Sequence, residues 1–301
     1  MDTAIVTNSR KAWLLATRPK TLTGAAIPVI LAGALAWHEQ RFDVWPWLCC
    51  LLFAGGMQIT ANLINDLYDF LRGTDREDRL GPERACAQGW ITPEAMRRGI
   101  WVSIAISCLF GLGALALTWQ VLPYRGLELI VLGVSSVVFA FLYTKVFSYL
   151  GLGDLLVLVF FGYVPVCGTY YIMTQELCAN VWILGTISGV AIDALLVVNN
   201  YRDREQDKIS GKRTLIVLGG EPFGRYLYLA IGIVSIVLSV WLLYRLDNMS
   251  KMPLLVVYLA LHVRSWLKLV EIRKGKALNA ILGETSRNMF LLSLLLALAM
   301  L

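Results

Sequence analysis

The sequence predicts an all-α integral membrane protein, with about nine transmembrane helices in one bundle around a central cavity. Three observations carry this. The 301 residues are 57% hydrophobic and only 16% charged, with a mean hydropathy of +0.64, a balance foreign to ordinary soluble enzymes. The apolar residues gather into blocks that reach the roughly 20 residues a crossing helix needs. The basic residues fall almost wholly on one side of the alternation those blocks impose. Residues 1–301 read as a single transmembrane domain.

The elements follow in order. The opening stretch MDTAIVTNSRKAWLLATRPKTL lacks the basic start and apolar core of a cleavable signal, and reads as a short, partly amphipathic cytoplasmic arm. Spans are predicted near 22–38, 45–70, 100–119, 127–144, 152–173, 181–200, 226–244, 253–270 and 288–301. The eighth contains Arg264 and Lys268, which either snorkel toward an interface or follow a helix that ends near Leu261. With the N-terminus in the cytoplasm, only Arg41, Arg125, Arg245 and Lys251 of the 27 basic residues lie on the far side. That is the orientation the positive-inside rule favours, as in a bacterial inner membrane. The formal charge of +6 therefore follows from topology, and no soluble basic domain exists to bind nucleic acid. The cysteines show no zinc-like spacing. His38 and His262 lie far from the motifs below, near expected membrane boundaries, and receive no catalytic role. Interfacial belts account for the tryptophans.

Two polar loops stand apart. Residues 71–99 and 202–225 are rich in charge and Gly, lie on the expected cytoplasmic side, and follow the second and sixth spans. The helix ends that feed them share one pattern. The first, NLINDLYDF, carries Asn62, Asp66 and Asp69, with Asp75 beyond. The second, NNYRDREQD, carries Asn199, Asp203 and Asp207. At about 100° per residue each set lies along one helix face. One such cluster reads equally well as a solvated helix end. Two clusters with the same Asn-x-x-x-Asp unit, nearly half the chain apart, point to a shared function, because carboxylates at membrane depth mark sites or pathways.

Convergent carboxylates without a counter-ion repel, and a divalent cation relieves this. Magnesium takes oxygen ligands, commonly one or two carboxylates completed by substrate phosphate oxygens. Cations suited to a diphosphate flank the motifs: Arg72 and Arg202 beside them, Lys212 and Arg213 in GKRTL, and Arg18 and Lys20 in RPKTL. No Gly-rich P-loop suggests a nucleotide. Acids, magnesium and cations in an apolar bundle suit a lipid diphosphate.

The stretches RPKTL (18–22), NLINDLYDFLRGTD (62–75), GPERACAQGWIT (81–92), YLGLGD (149–154) and NNYRDREQDKISGKRTL (199–215) resemble the UbiA superfamily of intramembrane aromatic prenyltransferases. Within it, the 1,4-dihydroxy-2-naphthoate prenyltransferases of menaquinone biosynthesis are most similar. The segment before GLGD is shorter than is usual there, and residues 226–301 add only hydrophobic helices to the match. The resemblance implies magnesium-dependent transfer of a polyprenyl group from its diphosphate to an aromatic acceptor. For 1,4-dihydroxy-2-naphthoate, CO2 is lost and demethylmenaquinone results. It implies that Asp66, Asp69, Asp203 and Asp207 hold the metal diphosphate, and that Asn62 and Asn199 orient them or touch it. Lys212 and Arg213 would neutralise the leaving group, and the tail would lie along helix faces open to lipid. Tyr143 and Tyr149 are either chamber walls or ordinary interfacial tyrosines. Asp154 either positions the acceptor hydroxyl or caps a helix. Another quinone precursor such as 4-hydroxybenzoate is the alternative acceptor, and a secondary transporter with intramembrane carboxylates is the alternative of another class.

Overall fold

A computed structural model describes residues 5–73, 79–145 and 151–301, excluding the side chains of residues 143–145. Among these the secondary structure is helical throughout. The N-terminal arm forms α1 (Arg10–Ala16), opened by Ser9, whose hydroxyl accepts from the Ala12 N–H. The spans follow as α2 (Leu22–His38), α3 (Val44–Leu71), α4 (Pro93–Thr118) and α5 (Leu127–Lys145). The fifth is composite: α6 (Gly153–Val157), a π-helical segment (Leu158–Tyr163) and α7 (Val164–Thr174). Then come α8 (Ala179–Ile209), α9 (Leu215–Arg245), α10 (Leu254–Ile272) and α11 (Leu278–Met300). Seven of these spans qualify by length and hydropathy alone as membrane-crossing. Leu109, Val131, Val134, Val237 and Leu298 are among the large apolar side chains left exposed, as lipid-facing positions should be.

Among the described residues nine helical spans fall on the predicted intervals, several of them running longer. The second and sixth continue as helix through both acidic motifs, because capped, charge-paired turns extend past the apolar stretch. The eighth does not stop at Leu261: α10 runs to Ile272, with Arg264 exposed and Lys268 paired to Glu284 of α11. His262 corrects a second expectation. It lies inside the bundle, 1% exposed, stacked on Tyr228 at 4.5 Å, with Nε2 2.8 Å from the Tyr228 carbonyl. Gly232 makes room for it; a Cβ there would come within 2.1 Å of the ring. The C-terminal helices also carry a polar seam, in which Asn288 reaches Ser265 at 3.0 Å and Tyr228 meets Thr285 at 2.9 Å.

Antiparallel neighbours pack as α3/α4, α8/α9 and α10/α11, and α11 returns to α2. Small residues set the closest approaches. On α3/α4, Gly56 faces Ser107, and Thr60 bonds Ser103 at 2.8 Å. Between the π segment and α8, a Cβ on Gly162 would lie 2.5 Å from the Gly185 carbonyl oxygen, and one on Gly189 2.8 Å from Leu158 Cα. Near its start α9 breaks at Gly220, whose φ of 80° favours glycine.

The first polar loop is partly core. Ala85, Cys86 and Ile91 are buried with Ala12 and Ala16 of α1 and Leu63, Ile64 and Leu67 of α3. Asn8 donates its N–H to the Trp90 carbonyl at 2.7 Å, and its side chain accepts from the Thr92 N–H at 3.2 Å. The arm thus presses this loop onto the end of α3.

Candidate active site

Asp66 organises the first motif. It is 1% exposed, and its two oxygens accept the N–H groups of Ala85 at 2.9 Å and Cys86 at 2.8 Å. Apolar packing of that turn buries its amides, and a helix-borne carboxylate satisfies them. The Arg18 guanidinium lies 3.7 Å away. Asn62, one turn earlier on α3, donates to the Thr17 carbonyl at 3.0 Å and Thr21 Oγ1 at 2.9 Å, on either side of Arg18. Arg18 itself sits at φ 50°. Asn62 therefore fixes the arginine-bearing turn beside Asp66. Asp69 is half-buried and pairs with Arg84 at 3.0 Å.

In the second motif Asp203 makes a bidentate pair with Arg202, at 2.7 and 2.6 Å. The remaining Arg202 nitrogen donates to Asn279 Oδ1 at 2.8 Å, and Asn279 donates to the Leu80 carbonyl at 2.8 Å. Gly81 lies against the same guanidinium; a Cβ there would come within 2.9 Å of Nη2. Asp207 is buried and pairs with Lys212 at 3.3 Å, across a turn closed by Gly211 at φ 76°. Arg204, on another face, serves packing: it stacks on Tyr201 and pairs with Glu221 at 3.1 Å.

The motifs meet through these loops. Residues 79–86 lie between them, held by Asp66 on one side and by Asn279 and Arg202 on the other. Lys212 acts electrostatically on both Asp207 and Asp69, and Arg79 and Arg18 also act on Asp69. The structure thus gathers Asn62, Asp66, Asp69, Arg202, Asp203, Asp207 and Lys212 at one end of the bundle. Asn199, Arg72, Lys20 and Arg213 are exposed around it. The Arg213 carbonyl packs on Gly151, where a Cβ would approach to 2.3 Å. Asp154 opens α6 and contributes no hydrogen bond from Oδ1. Tyr149, Asp75 and the Tyr143 side chain lie outside the described residues.

Sequence reasoning missed Arg84, Arg79 and Asn279. Arg84 stands inside the motif GPERACAQGWIT, where its charge was the signal; Asn279 is a lone amide opening the last span, with nothing local to mark it. Each motif carboxylate faces a protein cation, because the loops fold back and return Arg18, Arg84 and Lys212 to the helix ends.

The donor set fits magnesium. It consists of hard carboxylate oxygens, and Asp69 and Asp203 leave about a quarter of their side chains open, 27% and 26%. Among the described residues no three acids, histidines or cysteines converge tightly enough to hold an ion unaided. Magnesium asks for less, one or two carboxylates with phosphate and water supplying the rest.

Residues 26–294 match the UbiA prenyltransferase family. The chain belongs to that family. Among its relatives, a 1,4-dihydroxy-2-naphthoate octaprenyltransferase of Escherichia coli is 38% identical over 218 residues, 71% of this chain and 70% of the relative. The enzyme of that name from Mycobacterium tuberculosis is 38% identical over 226 residues, 72% of each chain. Solved structures agree in fold. A UbiA homolog from Archaeoglobus fulgidus bound to GPP and Mg2+ superposes with a TM-score of 0.65 at 13% identity, covering 96% of this chain and 99% of that one. An apo UbiA homolog from Aeropyrum pernix gives 0.66 at 14% identity, covering 92% and 96%. Nothing in these likenesses supports a transporter.

Proposed function

We propose that the protein transfers a polyprenyl group from its diphosphate to 1,4-dihydroxy-2-naphthoate in a magnesium-dependent reaction. CO2 and diphosphate leave, and the quinol of demethylmenaquinone forms. The observation that carries this reading is the joining of two carboxylate motifs, through cation-bearing loops, at one end of a UbiA-family bundle. Its relatives' names support the naphthoate acceptor.

The chain's own groups have distinct tasks. Asp69, Asp203 and Asp207 would hold magnesium, and Asp66, whose oxygens each keep a lone pair beyond the loop bond, completes the set. Bound magnesium would supply positive charge to the diphosphate as its bond to the prenyl carbon breaks. Arg18, Arg84, Arg202 and Lys212 neutralise the leaving group by charge-assisted hydrogen bonds. The apolar bundle below excludes water from the allylic cation. The acceptor ring then forms a carbon–carbon bond at the carbon bearing its carboxylate, and departure of CO2 returns the electron pair that restores the aromatic ring. We also place the site at the cytoplasmic face of the membrane, on the distribution of basic residues.

Membranes containing the protein, given a prenyl diphosphate, magnesium and either dihydroxynaphthoate or 4-hydroxybenzoate, should yield prenylated product by mass with the naphthoate alone. Chelator, Asp66→Ala and Asp203→Ala should each abolish it. Undiminished product in both variants would falsify the site assignment.

A further inference from the structure

A third pair of carboxylates lies deeper in the bundle, on the seam between α8 and the composite fifth span. Contacts along that seam fix an antiparallel register. Gly162 meets Gly185, and Leu158 meets Gly189, four residues further along each chain. One more helical turn in the same direction brings Asp154 opposite Asp193, on the same two faces. The two interact electrostatically. Oδ1 of each is out of solvent contact, and neither of these two atoms accepts a hydrogen bond. Glycine at Gly162, Gly185 and Gly189 draws the helices together below the pair, and the π-helical turn at Leu158–Tyr163 is an irregularity common near functional sites.

Two buried acceptor oxygens with no donor are costly in an apolar seam. The missing partner should be a donor of O–H groups that arrives with a ligand. Lipid tails and the prenyl chain have none, and the diphosphate end carries only acceptors. A hydroxylated aromatic ring has such donors. Along α8, Asp193 lies about 15 Å below Asp203 at the helical rise of 1.5 Å per residue. That interval leaves room for a diphosphate and a two-ring acceptor end to end. We propose that Asp193, with Asp154, binds the hydroxyl groups of the aromatic acceptor and holds its ring beneath the prenyl diphosphate. This rests on the reaction proposed above and adds to it the residues that select the acceptor.

The test separates the two ideas by measuring acceptor binding directly. The full-length protein in lipid nanodiscs is titrated with dihydroxynaphthoate, read by the ligand's own fluorescence, and with geranyl diphosphate plus magnesium, read by calorimetry. Asp193→Leu keeps the side-chain bulk while removing both oxygens. It should weaken acceptor binding by about tenfold or more, the loss of one buried hydrogen bond to a ligand hydroxyl, and leave geranyl diphosphate binding within about twofold. The wild type should also prefer dihydroxynaphthoate to its dimethyl ether, and the variant should lose most of that preference. Equal acceptor binding by variant and wild type overturns the proposal, as does a parallel loss of both ligands, which marks a structural role. Wild-type protein that binds the acceptor but makes no prenylated product refutes the reaction while leaving this site standing; wild-type protein that binds no acceptor overturns both.

Discussion

Arg202 and Arg84 do different work although both face a motif carboxylate, and lysine should expose the difference. Arg202 is 3% exposed and uses its planar fork on Asp203 and Asn279 together. An ammonium cannot reproduce that geometry. Arg202→Lys should therefore cost about 2 kcal/mol in stability, within the range for losing a charge-assisted bond, and lower activity at least tenfold. Arg84 donates to Asp69 at 3.0 Å, a contact that a lysine can replace, so Arg84→Lys should retain more activity than Arg202→Lys. Parallel melting curves and product assays would decide, and equal losses would remove the distinction. The four motif carboxylates were legible in the sequence from their helical spacing. Their partners were not, because Arg84 and Asn279 reach them through loop folding and through the last helix. No local pattern encodes either contact.

Helices were the most legible elements, since length and hydropathy alone mark a crossing segment. What escaped the sequence was local: the π-helical turn in the fifth span, the break at Gly220, and the burial of His262. The π-helical turn and the buried histidine depend on neighbouring helices, whereas the break lies at Gly220, two residues before Pro222. The α8 seam shows the energetics. A Cβ at Gly162 would meet only backbone, Gly185 O at 2.5 Å and Gly189 Cα at 3.1 Å, so no side chain can rotate away. Gly162→Ala should force the helices apart at a cost of about 1–3 kcal/mol and lower the melting temperature in detergent. Gly55→Ala, with nothing within 4 Å of its Cβ, should be nearly neutral. Similar melting of the two variants would mean that the seam relaxes freely.

At the scale of the molecule, the proposed orientation rests on the distribution of charge. A reporter fused after Arg213 should be active in its cytoplasmic form, and one fused after Gln175 in its external form; the reverse pattern would invert the site's placement. The chain also assembles its proposed reaction centre from distant parts: the arm through Asn8 and Arg18, the third and eighth helices through their acids, and the last helix through Asn279. The Asn279 link has a consequence in time. During synthesis both acidic motifs enter the membrane well before residue 279 leaves the ribosome. Until the final helix docks, the Leu80 carbonyl and Arg202 lack their common partner. The nascent enzyme therefore carries its acids early and acquires the fastening of its loop last.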